Sequence, residues 1–121
     1  MKWFCMVVLF AVSTPLLAVD SNGNYAIWGP GNKSCHRYNL ARANDDVESY
    51  QNYIMGFLTA YNHQAENTYS ISSRMNLEEV MTELDEECEL KPIISFDEAL
   101  INFILQHHEG RMKTAPGSIG R

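Results

Sequence analysis

Residues 53–62, YIMGFLTAYN, place apolar side chains at the spacing of one helical face. With Val47 and Tyr50 just before them, they predict a long amphipathic helix, called helix A, at the centre of the core. Gly56 stands in the middle of this apolar stripe, where glycine costs about 1 kcal/mol relative to alanine. Because Ala60 lies four residues further along, we expect the two small residues to form a shallow groove in which another helix or a dimer mate packs closely.

Two more helices are predicted after helix A. Helix B begins at residues 76–79, Asn-Leu-Glu-Glu, which form a capping-box pattern, and its apolar face includes Leu77 and Cys88. Helix C begins at residues 95–98, Ser-Phe-Asp-Glu, which form a second capping box. Together with a short helical turn after Cys35, these segments predict an all-α fold, a small single-domain bundle of three to four helices.

The other segments divide the chain into a domain and its flanks. Residues 1–18 have a lysine, an apolar run and a small residue at Ala18, which is typical of a secretory signal peptide; an uncleaved membrane anchor is the alternative. We expect a flexible leader over residues 19–34, a helical domain over residues 35–110 and a basic disordered tail over residues 111–121. Without the signal, about 103 residues remain, which fits one domain.

Two non-helical segments carry apolar side chains that we expect to reach the core. Trp28 in the leader is interpreted as an apolar anchor rather than a platform for a ligand. Residues 63–75 lack a helical pattern, and Tyr69 and Ile71 are expected to pack an extended loop onto the core.

The charge balance is acidic and limits the partners. The chain has 9 Lys and Arg against 15 Asp and Glu, a net charge of −6, which becomes −7 once Lys2 leaves with the signal peptide. A surface for phosphates needs a basic patch, so we expect no nucleic-acid partner. No later segment is apolar for long enough to cross a bilayer. We therefore expect an exported protein without stable membrane insertion after signal cleavage.

The cysteines indicate one disulfide. Of the 3 cysteines, Cys5 lies in the predicted signal peptide, which leaves Cys35 and Cys88. An even pair in an exported protein is most simply a disulfide, and closing this loop would contribute about 4 kcal/mol in the chain-entropy account. Two free thiols or a metal-binding pair are the alternatives, although the sequence has no CxxC and no further Cys or His spaced for a zinc site.

Catalytic motifs do not stand out in the sequence. It lacks GxSxG, HExxH and a Gly-rich phosphate loop. Adjacent His107, His108 and Glu109 suggest a metal or catalytic site, but histidine in the last turn of a helix also complements the helix dipole. Neighbouring helical side chains point about 100° apart, so the two imidazoles would not easily share an ion. We therefore expect a non-enzyme with no cofactor and no bound metal.

The outer face of helix B is strongly acidic. Carboxylates oppose the helix dipole at a C-terminal end, so we expect Lys91 or Arg74 to reach the end of this helix. The face is interpreted as solvated surface, with a docking surface for a basic partner as the alternative. Its acidic residues are Glu78, Glu79, Glu83, Asp85, Glu86, Glu87 and Glu89.

This arrangement resembles the HdeA/HdeB-type acid-stress chaperones of the bacterial periplasm. The shared pattern has Cys35 just before the first long helix and an Ile-x-Gly-Phe-x-x-Ala-x-Asn run over residues 54–62. An extended linker follows, then a helix over residues 77–88 that ends in Cys, and a helix opened by Ser-Phe-Asp over residues 95–104. The resemblance covers nearly all of the predicted helical domain.

The resemblance implies an all-helical domain stapled by a disulfide between Cys35 and Cys88. Proteins of that family are folded dimers near neutral pH and partly unfolded monomers in acid, where they bind denatured periplasmic clients through exposed apolar surface. An acid switch is compatible with the composition, since the charge rises to about +12 near pH 2. On helix A, the expected contacts for a client or a dimer mate are Ile54, Gly56, Phe57, Leu58 and Tyr61.

A second interpretation is an immunity or inhibitor protein. Small exported helical proteins with a disulfide also neutralise type VI secretion amidases, and their pattern similarly has a Tyr-Ile-x-Gly-Phe-like helix before a helix bounded by proline. In that case residues 63–75 and the acidic strip over residues 85–89 would dock onto one toxin. A specific inhibitor should bind one basic enzyme tightly at neutral pH, whereas a chaperone should bind many clients weakly and only in acid.

Overall fold

Four α-helices form the framework of the chain in a computed structural model that describes residues 19–117. The predicted signal peptide and the last four residues of the chain lie outside the described residues. Helices A, B and C of the sequence correspond to α2, α3 and α4. The helices are α1 (Cys35–Ala43), α2 (Glu48–Gln64), α3 (Leu77–Leu90) and α4 (Phe96–His107), preceded by a 3-10 turn at Gly29–Asn32.

The described residues contain no β-strand; their only β-type pairings are two isolated bridges, Ser34 with Ser95 and Ser70 with Met112. The fold class is therefore all-α, as expected for a small helical domain stapled by a disulfide.

Helix α3 begins with the capping box that the sequence predicts. The Asn76 side chain accepts from the backbone N–H of Glu79 at 2.9 Å, and the Glu79 carboxylate accepts from the backbone N–H of Asn76 at 3.0 Å. This satisfies two of the N–H groups that a helix start leaves unpaired. The buried face then follows helical spacing through Val80, Met81, Leu84 and Cys88.

Helix α4 begins at the predicted place, but its start is stabilised in another way. The Ser95 hydroxyl donates to the Asp97 carboxylate at 2.5 Å and does not cap a backbone N–H of the first turn. Backbone hydrogen bonds instead hold the segment that leads into α4: Phe96 N–H donates to Lys33 O at 2.8 Å, and Cys35 N–H donates to Ile94 O at 2.7 Å. The predicted second capping box is therefore wrong in detail, although the helix is present.

Helix α1 is longer than the short turn expected after Cys35. The Ser34 hydroxyl caps its start by accepting from Arg37 N–H at 3.3 Å, and the helix continues to Ala43. Cys35 and Cys88 are both buried and form a disulfide that joins the start of α1 to the last turns of α3, with the Cα atoms 4.8 Å apart. The predicted disulfide is confirmed.

An aromatic cluster joins α2 to α1 and α4. The ring of Phe96 stacks on Tyr38 of α1 at 4.7 Å between centroids and meets Tyr50 of α2 edge-on at 4.9 Å. Tyr38 and Tyr50 also meet edge-on at 5.3 Å. Burial raises the pKa of Tyr38 and of Tyr50, because the interior disfavours a phenolate. These rings make one shared core out of three helices.

Gly56 does not pack against another helix, contrary to the sequence-based expectation. The buried stripe of α2 runs through Tyr50, Ile54 and Leu58. Gly56 lies two residues from Ile54 and from Leu58, so it faces the opposite side, towards solvent. A Cβ atom added at Gly56 would meet nothing within 4 Å, and Ala60 is exposed as well. The proposed groove is therefore not a contact within this fold.

The leader is attached to the domain more firmly than expected. The Tyr25 hydroxyl donates to the buried Asp97 carboxylate at 2.8 Å. Gly31 is buried, and a Cβ atom there would overlap the Tyr53 side chain. Trp28 is 85% exposed, so its predicted role as an anchor in the core is wrong. The backbone of the turn at Gly29–Asn32 packs onto the domain, whereas the indole ring of Trp28 does not.

The loop after α2 and the start of the tail hold each other. Ile71 is buried as expected, and its N–H donates to the Asn62 side chain at 2.8 Å, whereas Tyr69 stays half exposed. Ser70 and Met112 exchange two backbone hydrogen bonds at 3.0 and 3.1 Å. Met112 is therefore part of the fold and does not belong to a disordered tail.

Two glycine substitutions test these placements. Gly56→Ala should raise the free energy of unfolding by about 0.5–1 kcal/mol, because it removes the cost of a helical glycine without a clash. Gly31→Ala should lower it by about 1–3 kcal/mol, because the added methyl overlaps Tyr53. Urea unfolding at pH 7 measures both, and a destabilised Gly56→Ala protein would show that Gly56 is a packing contact after all.

Candidate protein-docking site

Helix α3 presents carboxylates on both flanks of its buried stripe, and these hold its neighbours. Positions 78 and 85 are seven residues apart and face α1, while positions 83 and 87 are four apart and face α4. In residues 19–117, each side-chain to side-chain hydrogen bond from α1 or α4 to α3 ends on one of these four groups. We call them the α3 carboxylates: Glu78, Glu83, Asp85 and Glu87.

On the α1 side, Arg42 and Tyr38 converge on Asp85. The guanidinium of Arg42 donates to Asp85 from Nε at 2.9 Å and from Nη2 at 3.0 Å, and Nη2 also lies 2.6 Å from Glu78 Oε1. The Tyr38 hydroxyl donates to Asp85 Oδ1 at 2.7 Å. Hydrogen bonds to Asp85, and then to Glu78, raise the pKa of Arg42 above its ordinary value. Arg42 thus remains cationic and bridges two helices.

On the α4 side, Glu83 accepts from His107 Nε2, and Glu87 Oε1 accepts from Asn102 Nδ2 at 2.9 Å. Lys91 Nζ lies 3.0 Å from the same Glu87 oxygen. The bond from Lys91, and next the bond from Asn102, lowers the pKa of the Glu87 carboxyl. Lys91 therefore reaches the acidic end of α3 as expected. Arg42 of α1 is a second cation that binds carboxylates of α3, and the sequence did not single it out.

The adjacent histidines do not converge on a common ligand. His107 turns to α3, while His108 Nδ1 lies 2.7 Å from the hydroxyl of Tyr61. Within residues 19–117 there is no group of three His, Cys, Asp or Glu side chains placed to hold a metal ion.

A groove of about 470 Å³ runs between α3 and α4 on the side of Glu83 and Glu87. Leu84, Ala99 and Phe103 form its buried floor, and Leu90 stands at its margin with 80% of its surface exposed. The remaining lining residues are polar or charged: Glu83, Glu86, Glu87, Gln106 and His107. The groove therefore combines an apolar floor with an acidic margin.

The helix-A residues predicted as contacts do not form one surface. Ile54 and Leu58 are in the core, Phe57 and Tyr61 are half buried against it, and Gly56 faces solvent on the other side of α2. Contact of Ile54 or Leu58 with a client would require the fold to open.

Apart from Trp28, the most exposed large apolar side chains of the described residues lie outside α2 and were missed from the sequence. Ile93 is 91% exposed, Leu90 80% and Leu105 71%. Leu90 lies two residues beyond Cys88, off the buried stripe of α3, and Ile93 follows the Pro92 that ends this helix. The positions of Leu90 and Ile93 relative to the buried stripe of α3 could have identified both side chains as outward-facing from the sequence.

Comparison with protein-family models, with curated proteins and with solved structures finds no match for this chain. Among residues 19–117, no helix is both long and apolar enough to cross a membrane. The contacts on α3 and the groove beside it are the features that bear on function.

Replacing Arg42 tests the bridge between α1 and α3. Arg42→Ala should lower the free energy of unfolding by about 1 kcal/mol at pH 7, because it removes the hydrogen bonds to Asp85 and Glu78, whose carboxylates are partly exposed to water. Arg37→Ala is the matched control, since the exposed Arg37 side chain makes no hydrogen bond or ion pair within the described residues; its effect should stay within about 0.5 kcal/mol. Urea unfolding of both variants measures the difference, and equal losses would contradict this account of α3.

Proposed function

We propose that this chain is an exported protein-binding domain that acts as an HdeA-like acid-stress chaperone in the periplasm. It is folded near neutral pH, opens partly in acid and holds denatured clients on the apolar surface that opening exposes. The observation that carries the proposal is that the side-chain to side-chain hydrogen bonds from α1 and α4 to α3 within residues 19–117 end on the α3 carboxylates. Such bonds weaken as the carboxylates take up protons.

Protonation acts in the required direction. The lowered pKa of Glu87 means that its contribution to stability is present above the pKa of the unfolded chain and is lost as the pH falls through the lower, folded value. At the same time the charge of the chain without residues 1–18 changes from −7 to about +12, so attraction is replaced by self-repulsion.

The two neighbours of α3 differ in how they respond to acid. Helix α1 stays linked to α3 by the disulfide between Cys35 and Cys88, which does not titrate. The side-chain hydrogen bonds from α4 to α3 end on Glu83 and Glu87, so α4 is the helix that we propose separates first. Separation would expose the buried face of α4 and remove Phe96 from its ring contact with Tyr50 of α2. This face consists of Phe96, Ala99, Leu100, Phe103 and Ile104.

The chaperone proposal is tested by following helix content, oligomeric state and client protection from pH 7 to pH 2. We expect a folded monomer or homodimer at pH 7 and a partly open monomer at pH 2 that suppresses aggregation of an acid-denatured model enzyme. Reduction of the disulfide should abolish this protection, because no covalent link then joins α1 to α3 in the open chain. A protein that stays folded at pH 2 and protects no client would contradict the proposal.

A double substitution, Glu83→Gln with Glu87→Gln, tests the part played by α3. It imitates neutral carboxyl groups, so it should lower the stability at pH 7 by about 1 kcal/mol and start the acid transition at a higher pH. Below about pH 3 it should match the wild type, whose own carboxyls are then protonated. The control pair Glu66→Gln with Glu109→Gln removes the same charge from exposed side chains without an ion pair in the described residues, and should leave the transition unchanged.

A second candidate function is that of an immunity or inhibitor protein, and the exposure of Leu90 and Ile93 beside the acidic face favours it. Apolar side chains exposed in the folded state suit a partner that binds at neutral pH. A pull-down from periplasmic extract at pH 7 should then return one dominant hydrolase, and its absence would count heavily against this function. Both candidates are binding functions, and we propose no catalytic step or cofactor for this chain.

A further inference from the structure

We propose that the groove between α3 and α4 docks a cationic, amphipathic helix of a partner protein near neutral pH. This inference rests only on the protein-binding role that both candidate functions share, and it does not depend on opening of the fold in acid. It concerns the native surface, whereas the chaperone proposal concerns the surface that is buried in the native state.

Leu90 offers the apolar contact of the groove. Leu84, Ala99 and Phe103 form the base but are at most 3% exposed, whereas the side chain of Leu90 beside them has 80% of its surface in water. An exposed leucine at the edge of a groove gains free energy when an apolar side chain of a partner covers it. The volume of about 470 Å³ is sufficient for one or two large side chains of a partner.

The margin of the groove determines the charge of the partner. Glu83, Glu86 and Glu87 line it, and Lys91, which is not among the lining residues, is already paired with Glu87 at 3.0 Å. Glu83 and Glu87 are already oriented by α4, and Glu86 has no hydrogen bond or ion pair within the part of the chain that the structure describes. The Glu86 carboxylate is therefore available to a lysine or arginine whose neighbouring leucines enter the groove.

Charge also argues against two other occupants. In a symmetric dimer across this face, the glutamates of one copy would approach those of the other, which is repulsive. The chain's own basic segment starts at Arg111, whose guanidinium already donates to Thr68 Oγ1 at 2.8 Å and to His108 O at 2.7 Å. A separate protein with a basic segment is the occupant that complements the groove.

The probe is a fluorescently labelled amphipathic helical peptide with leucine on one face and lysine on the other. Its counterpart carries glutamate in place of lysine. Fluorescence anisotropy with the folded protein at pH 7 and low salt should show binding of the lysine peptide and at least tenfold weaker binding of the glutamate peptide. Equal binding of the two peptides would contradict the proposed charge complementarity.

Two matched pairs of variants locate the site. Leu90→Ser should weaken binding of the lysine peptide about tenfold, whereas Leu105→Ser, at an exposed leucine of α4 outside the groove, should change it less than twofold. Glu86→Lys should weaken binding five- to tenfold, whereas Glu66→Lys makes the same change in net charge away from the groove and should cost less than twofold. Thermal melting at pH 7 checks that each variant is folded.

Each other result overturns the inference. If both variants of a pair weakened binding equally, the peptide would be binding the acidic protein nonspecifically and not at the groove. A dimer of the free protein that dissociates on Leu90→Ser would mean that a second copy occupies the groove. Client protection by Leu90→Ser at pH 2 is measured in parallel, so loss of peptide binding with intact protection separates this proposal from the chaperone proposal.

Discussion

The hydrogen bonds that Arg42 and Tyr38 make to Asp85 hold α1 on α3, and the rest of the structure is built around that pair of helices. They stand beside the disulfide between Cys35 and Cys88, so one pair of helices is joined by both a covalent and an ionic contact. Tyr38 also stacks on Phe96 of α4, and Phe96 in turn contacts Tyr50 of α2, so the pair of helices is connected to both other helices. A single helix, α3, thus supplies the acceptors on which both of its neighbours depend.

The asymmetry between the two sides of α3 relates the structure to the proposed functions. On one side a disulfide persists at any pH, and on the other the side-chain bonds of Glu83 and Glu87 depend on ionised carboxyls. The same glutamates form the margin of the groove in the folded state. Under the two proposals, one set of side chains would serve both as a docking surface near neutral pH and as the point of opening in acid, without a separate switch.

The sequence predicts the parts of this fold that depend on local pattern. The capping box at Asn76, the buried stripe of α3 and the start of α4 follow from residue spacing, and the cysteine pair predicts the disulfide. The contacts of Arg42 could not be predicted in this way, because its partners lie 36 and 43 residues away. Gly56 was misplaced because aromatic residues widen the apolar stripe of α2 and obscure which face is buried. Trp28 was misplaced because hydrophobicity alone does not say which way a turn directs its side chain.

The central claim is that ionised carboxylates of α3 hold α4 while the disulfide holds α1. Amide hydrogen exchange resolved by residue, corrected for the intrinsic effect of pH and followed from pH 7 to pH 3, tests it most directly. The account predicts that amides of α4 lose protection at a higher pH than those of α1 and of the last turns of α3, next to Cys88. Simultaneous loss in all helices, or loss in α1 before α4, would contradict it.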